Sequence, residues 1–467
     1  MKTTLLKKLL LPLLFMAVCI GSANAQVEGI LEIGDESFND IITVDKSGTG
    51  WTWTASSATL SLTSDYNSGS IKINCTSDNA VINLKYTGNV TVTTTNASYD
   101  AIRILNGSLL IDATNYTDKL TLTDTGENYG LYVEGLLAVN SGNLEVENTG
   151  TGTAIGLYGD IIVSGSASVK ATSATTSALS LGKNATMTLS TGGDCSFISN
   201  ATSGRRGSIE TATEKDLTLN VGGMSGKLTI SSGRYGIHMN SATLKIAGAM
   251  DVGGQVDITG DLIGINIGGD LEIDVTGPVN ITTNSSGDAG AIEGSYGMVT
   301  VKNGTVTLNS GSQGVACGLP IAVEDGTVTI NGQVGREYGF QAELTVSGGK
   351  VDVTGNIYRD LTVSGGEVTI GGTVIGTTTH TGGTLNGVSA PPILSPVPIF
   401  EGLANEYTAG SAAVQLKVMG TGSEGLTVFR VNGTEAPEFD PAAAGTYLVE
   451  AASADGKLRI WKYVKVK

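Results

Sequence analysis

Apolar and polar positions alternate along most of this chain in bursts of three, separated by Gly, Asn, Ser and Thr. Tyr235-Gly236-Ile237-His238 leads to Leu244-Lys245-Ile246 and then to Val256-Asp257-Ile258. About 28 residues later the same order returns as Ile263-Gly264-Ile265-Asn266, Leu271-Glu272-Ile273 and Val279-Asn280-Ile281. Strand side chains alternate with period two, so each triplet reads in, out, in. A repeat of this length built from three short strands predicts a β-solenoid, in which stacked coils build a core that one coil cannot.

The inward residue of the first triplet marks the coils. It is placed at Ile102, Leu131, Leu157, near Leu181, then Ile209, Ile237, Ile265, Ile292, near Cys317, then Phe340 and Ile357. The step is mostly 24–29 residues, which fits a right-handed parallel β-helix; a propeller blade needs about 40–45. About eleven coils at strand spacing give a rod of roughly 50 Å. Residues 26–95 read as an N-terminal cap with the first coils, and 96–389 as the parallel β-helix. Four of the nine prolines fall within 390–398, a stiff linker. Residues 399–467 alternate like antiparallel strands and predict a small β-sandwich.

The first 25 residues change the expected location. Lys2, Lys7 and Lys8 precede an apolar run, and Ala23-Asn24-Ala25 closes it. That order is a secretory signal peptide, predicting export to the cell surface or beyond. Cys19 follows Val18 rather than a small residue, so lipidation is not expected. No later apolar run reaches the ~18 residues that span a bilayer. The formal charge is −17 with three of the cations in the signal segment, an acidic balance that argues against nucleic acid as a partner. Cys75, Cys195 and Cys317 lie far apart and are expected as buried free thiols rather than as a disulfide framework.

Two resemblances add to this reading. Gly50-Trp51-Thr52-Trp53, Ala58-Thr59-Leu60-Ser61-Leu62 and Tyr338-Gly339-Phe340-Gln341-Ala342-Glu343-Leu344-Thr345-Val346-Ser347-Gly348-Gly349 resemble bacterial secreted β-helix proteins described as carbohydrate-binding domain-containing. The likeness covers roughly 48–385 and implies a polysaccharide or cell-surface glycan as partner. Relatives that bind acidic polysaccharides often carry Asp-Asp-Gly-Ile turns that suggest calcium. Here the matching places read Asp288-Ala289-Gly290-Ala291-Ile292 and Ser312-Gln313-Gly314-Val315, without the paired Asp. The segments Gly402-Leu403-Ala404-Asn405-Glu406-Tyr407, Ala412-Ala413-Val414-Gln415-Leu416 and Phe439-Asp440-Pro441-Ala442-Ala443-Ala444-Gly445-Thr446-Tyr447 resemble immunoglobulin-like modules of Bacteroidetes surface adhesins.

No catalytic constellation stands out. Glycoside hydrolysis needs two carboxylates about 5–10 Å apart, and the Asp-Asp and Gly-His-Gly motifs of polygalacturonases are missing from the chain. The two histidines, His238 and His380, sit in no metal or triad motif. Asp251, Asp257, Asp261, Asp270 and Asp274 are dense enough to weigh as a calcium site, although solvated outward slots explain them first. One ladder rises above this background. The residue after each first-strand marker should face outward, giving Arg103, Tyr132, Tyr158, Glu210, His238, Asn266, Glu293 and Gln341. Tyr offers a sugar an apolar face with a polar edge; amides and carboxylates bond hydroxyls. Trp51 and Trp53 share one strand face and suit either a sugar platform or a hydrophobic cap. The expectation is a non-enzymatic, adhesin-like, carbohydrate-binding surface protein without a resident cofactor. A polysaccharide lyase or hydrolase, or a purely structural rod, is the alternative.

Overall fold

The computed structural model describes residues 29–39, 44–94, 99–204, 206–285, 289–311, 315–337, 342–386, 399–419, 426–454 and 459–467. The expected signal peptide (1–25), the expected linker (390–398) and Gln341 lie outside these residues. The chain divides into two compact units at residues 387 and 388. The first is a β-solenoid of about eleven turns, matching a right-handed parallel β-helix.

First strands stack on first strands through parallel ladders, as Ile102–Leu105, Tyr129–Val133, Thr153–Leu157 and onward. Together with two antiparallel N-terminal strands they form a 13-stranded sheet. Second and third strands stack the same way and merge through two long strands, Leu271–Thr283 and Val299–Asn309. Inward residues such as Ile237, Ile246 and Ile258 are completely buried. Full burial of such a side chain contributes about 1.5–3 kcal/mol, and every coil repeats it. Toward the C-terminal end the coil shortens. Leu344, Leu361 and Thr378 pair in register, while the first strand shrinks to the single bridges Val334–Ile357–Val374.

The first coil is shielded by antiparallel strands, the usual device against an open sheet edge. Gly29–Ile33 runs antiparallel to Ile71–Cys75, and Trp51–Thr54 runs antiparallel to Thr59–Thr63. Trp51 and Trp53 are 3% and 1% exposed. Both indoles therefore serve as the hydrophobic cap and are withdrawn from the set of sugar-contacting candidates.

Each corner of the coil solves its own backbone problem. Between first and second strands an Asp accepts an N–H from the following coil. Asp160 takes that of Thr186 at 2.8 Å, Asp216 that of Thr243 at 2.8 Å and Asp270 that of Met298 at 3.0 Å. These aspartates are thus structural. Between third and first strands a polar stack is buried: Asp124, Asn148, Ser173 and Ser199, paired rung to rung. Asn148 donates to Asp124 at 2.7 Å and to the Asn128 carbonyl at 2.9 Å. Gly126 N–H donates to Asp124 at 2.9 Å, and the Ser173 hydroxyl to the Gly152 carbonyl at 3.0 Å. Buried backbone groups at a turn require such partners.

Between second and third strands the late coils stack glycines. Gly326, Gly349, Gly366 and Gly383 have φ of 92°, 70°, 75° and 75°, a region open to Gly and costly for other residues. A Cβ on Gly349 would also lie 2.4 Å from the Gly326 carbonyl oxygen. The second unit is all-β, with a five-stranded sheet whose long strands are Leu426–Val431, Gly445–Ser453 and Arg459–Val466. Phe439, Val449, Ala451 and Val464 are at its centre. The alternating stretch Val414-Gln415-Leu416-Lys417-Val418 forms two short strands, Val414–Gln415 and Val418–Met419, rather than one. They pair with different partners.

Two outcomes follow from this packing. Gly349→Ala is expected to lower unfolding stability by about 2 kcal/mol or more, the scale of a forced left-handed residue plus a backbone clash, read from urea midpoints. Cys75, Cys195 and Cys317 are buried and free, and burial raises their thiols to about 11, 11 and 12. At pH 8 all three should resist a thiol reagent in the native protein and react in denaturant, as mapped by mass spectrometry.

Candidate functional site: an aromatic face on the first sheet

Register along the first sheet defines the outward ladder. Lys72, Arg103, Tyr132, Gly156, Ser180, Glu210, His238, Asn266 and Glu293 occupy successive rungs. In register, the expected ladder is met at Arg103 and Tyr132 and again from Glu210 to Glu293, but Tyr132 and His238 are buried, at 9% and 7% exposed. It slips at Tyr158. Ile155, not Leu157, stands opposite Leu131, so Gly156 takes the rung and Tyr158 lies just beyond the strand. Ile155-Gly156-Leu157 offers two inward apolar residues, and period-two patterning alone accepts either register.

The slip brings Tyr158 into contact with the ladder from the side. Its ring centroid is 6.2 Å from that of Tyr132, edge-on at 64°. Tyr129 completes the group, 5.2 Å from Tyr132. The glycines make room for these rings. A Cβ on Gly156 would lie 2.5 Å from Tyr129, and one on Gly182 2.7 Å from Tyr158. Tyr158 remains 51% exposed, whereas Tyr132 is 9% exposed beneath its neighbours.

Tyr132 is held from both sides. The Arg103 guanidinium lies 4.8 Å from its ring centroid, a favourable cation–π contact. Arg103 is aimed by an ion pair at 3.3 Å with the fully buried Asp100 carboxylate. Asp100 in turn accepts the Tyr129 N–H at 2.9 Å; burial pushes its carboxyl above the usual range. The Tyr132 hydroxyl donates to Glu134 at 3.4 Å, and Glu134 accepts the Asn106 N–H at 2.8 Å. Burial raises the phenol to about 12, so it stays a donor at neutral pH. A cleft of about 290 Å³ opens beside Arg103, walled by Lys72, Glu32 and Tyr99.

The same local motif recurs further along the sheet. Tyr129-Gly130-Leu131-Tyr132 and Tyr235-Gly236-Ile237-His238 each place two rings together three residues apart. Tyr235 and His238 stack at 5.1 Å and 28°, and Arg234 lies 5.4 Å from the Tyr235 ring centroid. A second cleft, of about 300 Å³, adjoins them and is lined by His238, Asn240, Asn266, Ser295 and Tyr296.

Two expected ligand groups are already engaged. Glu210 accepts the Gly207 N–H at 2.8 Å and faces Arg206 at 3.4 Å. Glu293 accepts the Gly290 N–H at 2.6 Å and pairs with Arg336. Both carboxylates brace their own turns. The dense aspartates behave alike. Asp257 accepts from Gln255 and Asn280, each at 2.7 Å, and Asp261 from Asn284 at 3.0 Å. Among the described residues no group of three or more His, Cys, Asp or Glu side chains is arranged to hold a metal ion.

Sequence reasoning missed Tyr129, Asp100, Glu134 and Tyr296. The Tyr-Gly-apolar-aromatic motif was a usable signal for Tyr129. The others depend on turn geometry that alternation does not encode. No protein-family model, curated protein or solved structure matches this chain.

The glycine seats give a direct test. Gly182 has an ordinary φ, so Gly182→Val should displace the exposed Tyr158 ring rather than unfold the coil. Its unfolding free energy is expected within about 1 kcal/mol of wild type, while the Tyr158 ring resonances shift in NMR.

Proposed function

We propose that the first sheet carries a carbohydrate-binding face and that the protein is a non-enzymatic glycan-binding or adhesive surface protein. One observation carries this reading: three tyrosines converge at Tyr132 over glycines placed to admit their rings. An exposed Tyr ring presents an apolar face to a pyranose and a hydroxyl to its edge. Arg103 and Glu134 add a donor and an acceptor for sugar hydroxyls.

Charge narrows the ligand. The cations at the face are matched by acids, Arg103 with Asp100 and Lys72 with Glu32 at 3.0 Å, on a chain of formal charge −17. Such a surface repels polyanions and favours a neutral glycan. Strand spacing of about 4.8 Å is close to the rise of one sugar in an extended chain, so successive rungs can meet successive units. Export and an immunoglobulin-like role for the second unit, as spacer or anchor, belong to the same proposal.

The test is retardation in native gels containing neutral or acidic polysaccharides. A neutral polysaccharide should retard the protein, and Tyr158→Ala should weaken that binding about tenfold or more, near 1.4 kcal/mol. Tyr116→Ala, which removes a 71% exposed ring elsewhere, should leave it unchanged. Sugar release or unsaturated products would turn the reading to an enzyme. No retardation across a broad panel would turn it to a structural rod.

A further inference from the structure

The two aromatic pairs share a sequence motif, a guanidinium against one ring, a cleft beside them and one sheet. Tyr132 and His238 stand on rungs of the same ladder, four strand steps apart, about 19 Å at sheet spacing. Between them Gly156 and Ser180 keep the floor low, and Glu210 is folded back on its own turn. Beyond His238 the second cleft offers the Asn266 and Asn240 amides and the Ser295 hydroxyl, with Tyr296 as a wall 79% exposed. Amides and hydroxyls supply paired donors and acceptors suited to sugar hydroxyls. Among the described residues no carboxylate lines this cleft, which again fits a neutral ligand.

We infer that the cleft at His238, Asn266 and Tyr296 is a second glycan subsite, and that one neutral polysaccharide chain runs along the solenoid axis through both subsites. The inference rests on the carbohydrate-binding reading of the tyrosine group. With one sugar per rung, a chain that reaches from Tyr132 to Asn266 has about six units. Shorter oligosaccharides occupy one subsite at a time. Longer ones gain the second contact intramolecularly, which raises affinity without any new surface.

The experiment is calorimetric titration of the full chain with a size ladder of oligosaccharides, from three to about ten units, cut from the neutral polysaccharide that retards it. Affinity is expected to change little up to about four units and to rise at least tenfold once about six are reached. Tyr296→Ala and Asn266→Ala should each remove that rise and leave trisaccharide binding at the tyrosine group unchanged. Tyr158→Ala should weaken short and long ligands alike. A smooth length dependence, or a step that survives both cleft substitutions, overturns the second subsite while the tyrosine site stands. Failure of every oligosaccharide and of the parent polymer to bind overturns the carbohydrate reading itself.

Discussion

Coil-to-coil hydrogen bonding in register is the constraint on which this molecule depends. Each strand has its partner in the next coil, so an inward Ile must meet an inward Ile and a corner must meet an equivalent corner. Slipping one residue would turn a whole strand inside out. The corners hold the register against that. Aspartates reach across to the following coil, buried Asp, Asn and Ser side chains satisfy the turn backbone, and glycines accept conformations and approaches closed to other residues.

That constraint also makes the face proposed to bind glycan. A residue placed one position after an inward apolar residue is repeated one strand spacing away, coil after coil. The sheet thereby converts a sequence repeat into a linear array. Specific departures from the repeat then create the site. Gly156 and Gly182 replace side chains with room for rings, and buried Asp100 aims Arg103 at Tyr132. The other faces use their outward slots differently. Glu145 is clasped by Lys119 and Lys170, and Glu272 by Lys245 and Lys302, so those slots hold ion pairs that link neighbouring coils.

Much of this architecture was legible because alternation and a regular step are both explicit in the sequence. The inward ladder, the three strands per coil and the rung positions of Arg103, Tyr132, His238 and Asn266 follow from period two combined with the step; that Tyr132 and His238 are buried on those rungs does not. The rest required three dimensions. Ile155 and Leu157 are equally apolar, so the position of Tyr158 was fixed only by hydrogen bonding to the neighbouring strand. Trp51 and Trp53 share a face either way; which face was buried depended on how the antiparallel cap folds over the first coil. The aspartates were weighed as a metal site because sequence shows their density and hides their partners, the side-chain amides of Gln255, Asn280 and Asn284 and the backbone N–H of Met298. Tyr296 sits in a turn, where no periodicity points.

The most direct measurement removes one coil. Deleting Cys195 to Lys227 joins Asp194 to Leu228, residues that precede and occupy equivalent positions in adjacent coils. It spares Tyr158, Gly182, Tyr235 and Tyr296. If register and ladder organise the molecule, the shortened solenoid keeps its far-UV β signal and cooperative unfolding. The oligosaccharide length at which its affinity rises then falls by one sugar. A folded protein with an unchanged length requirement, or a chain that no longer folds, would contradict the account.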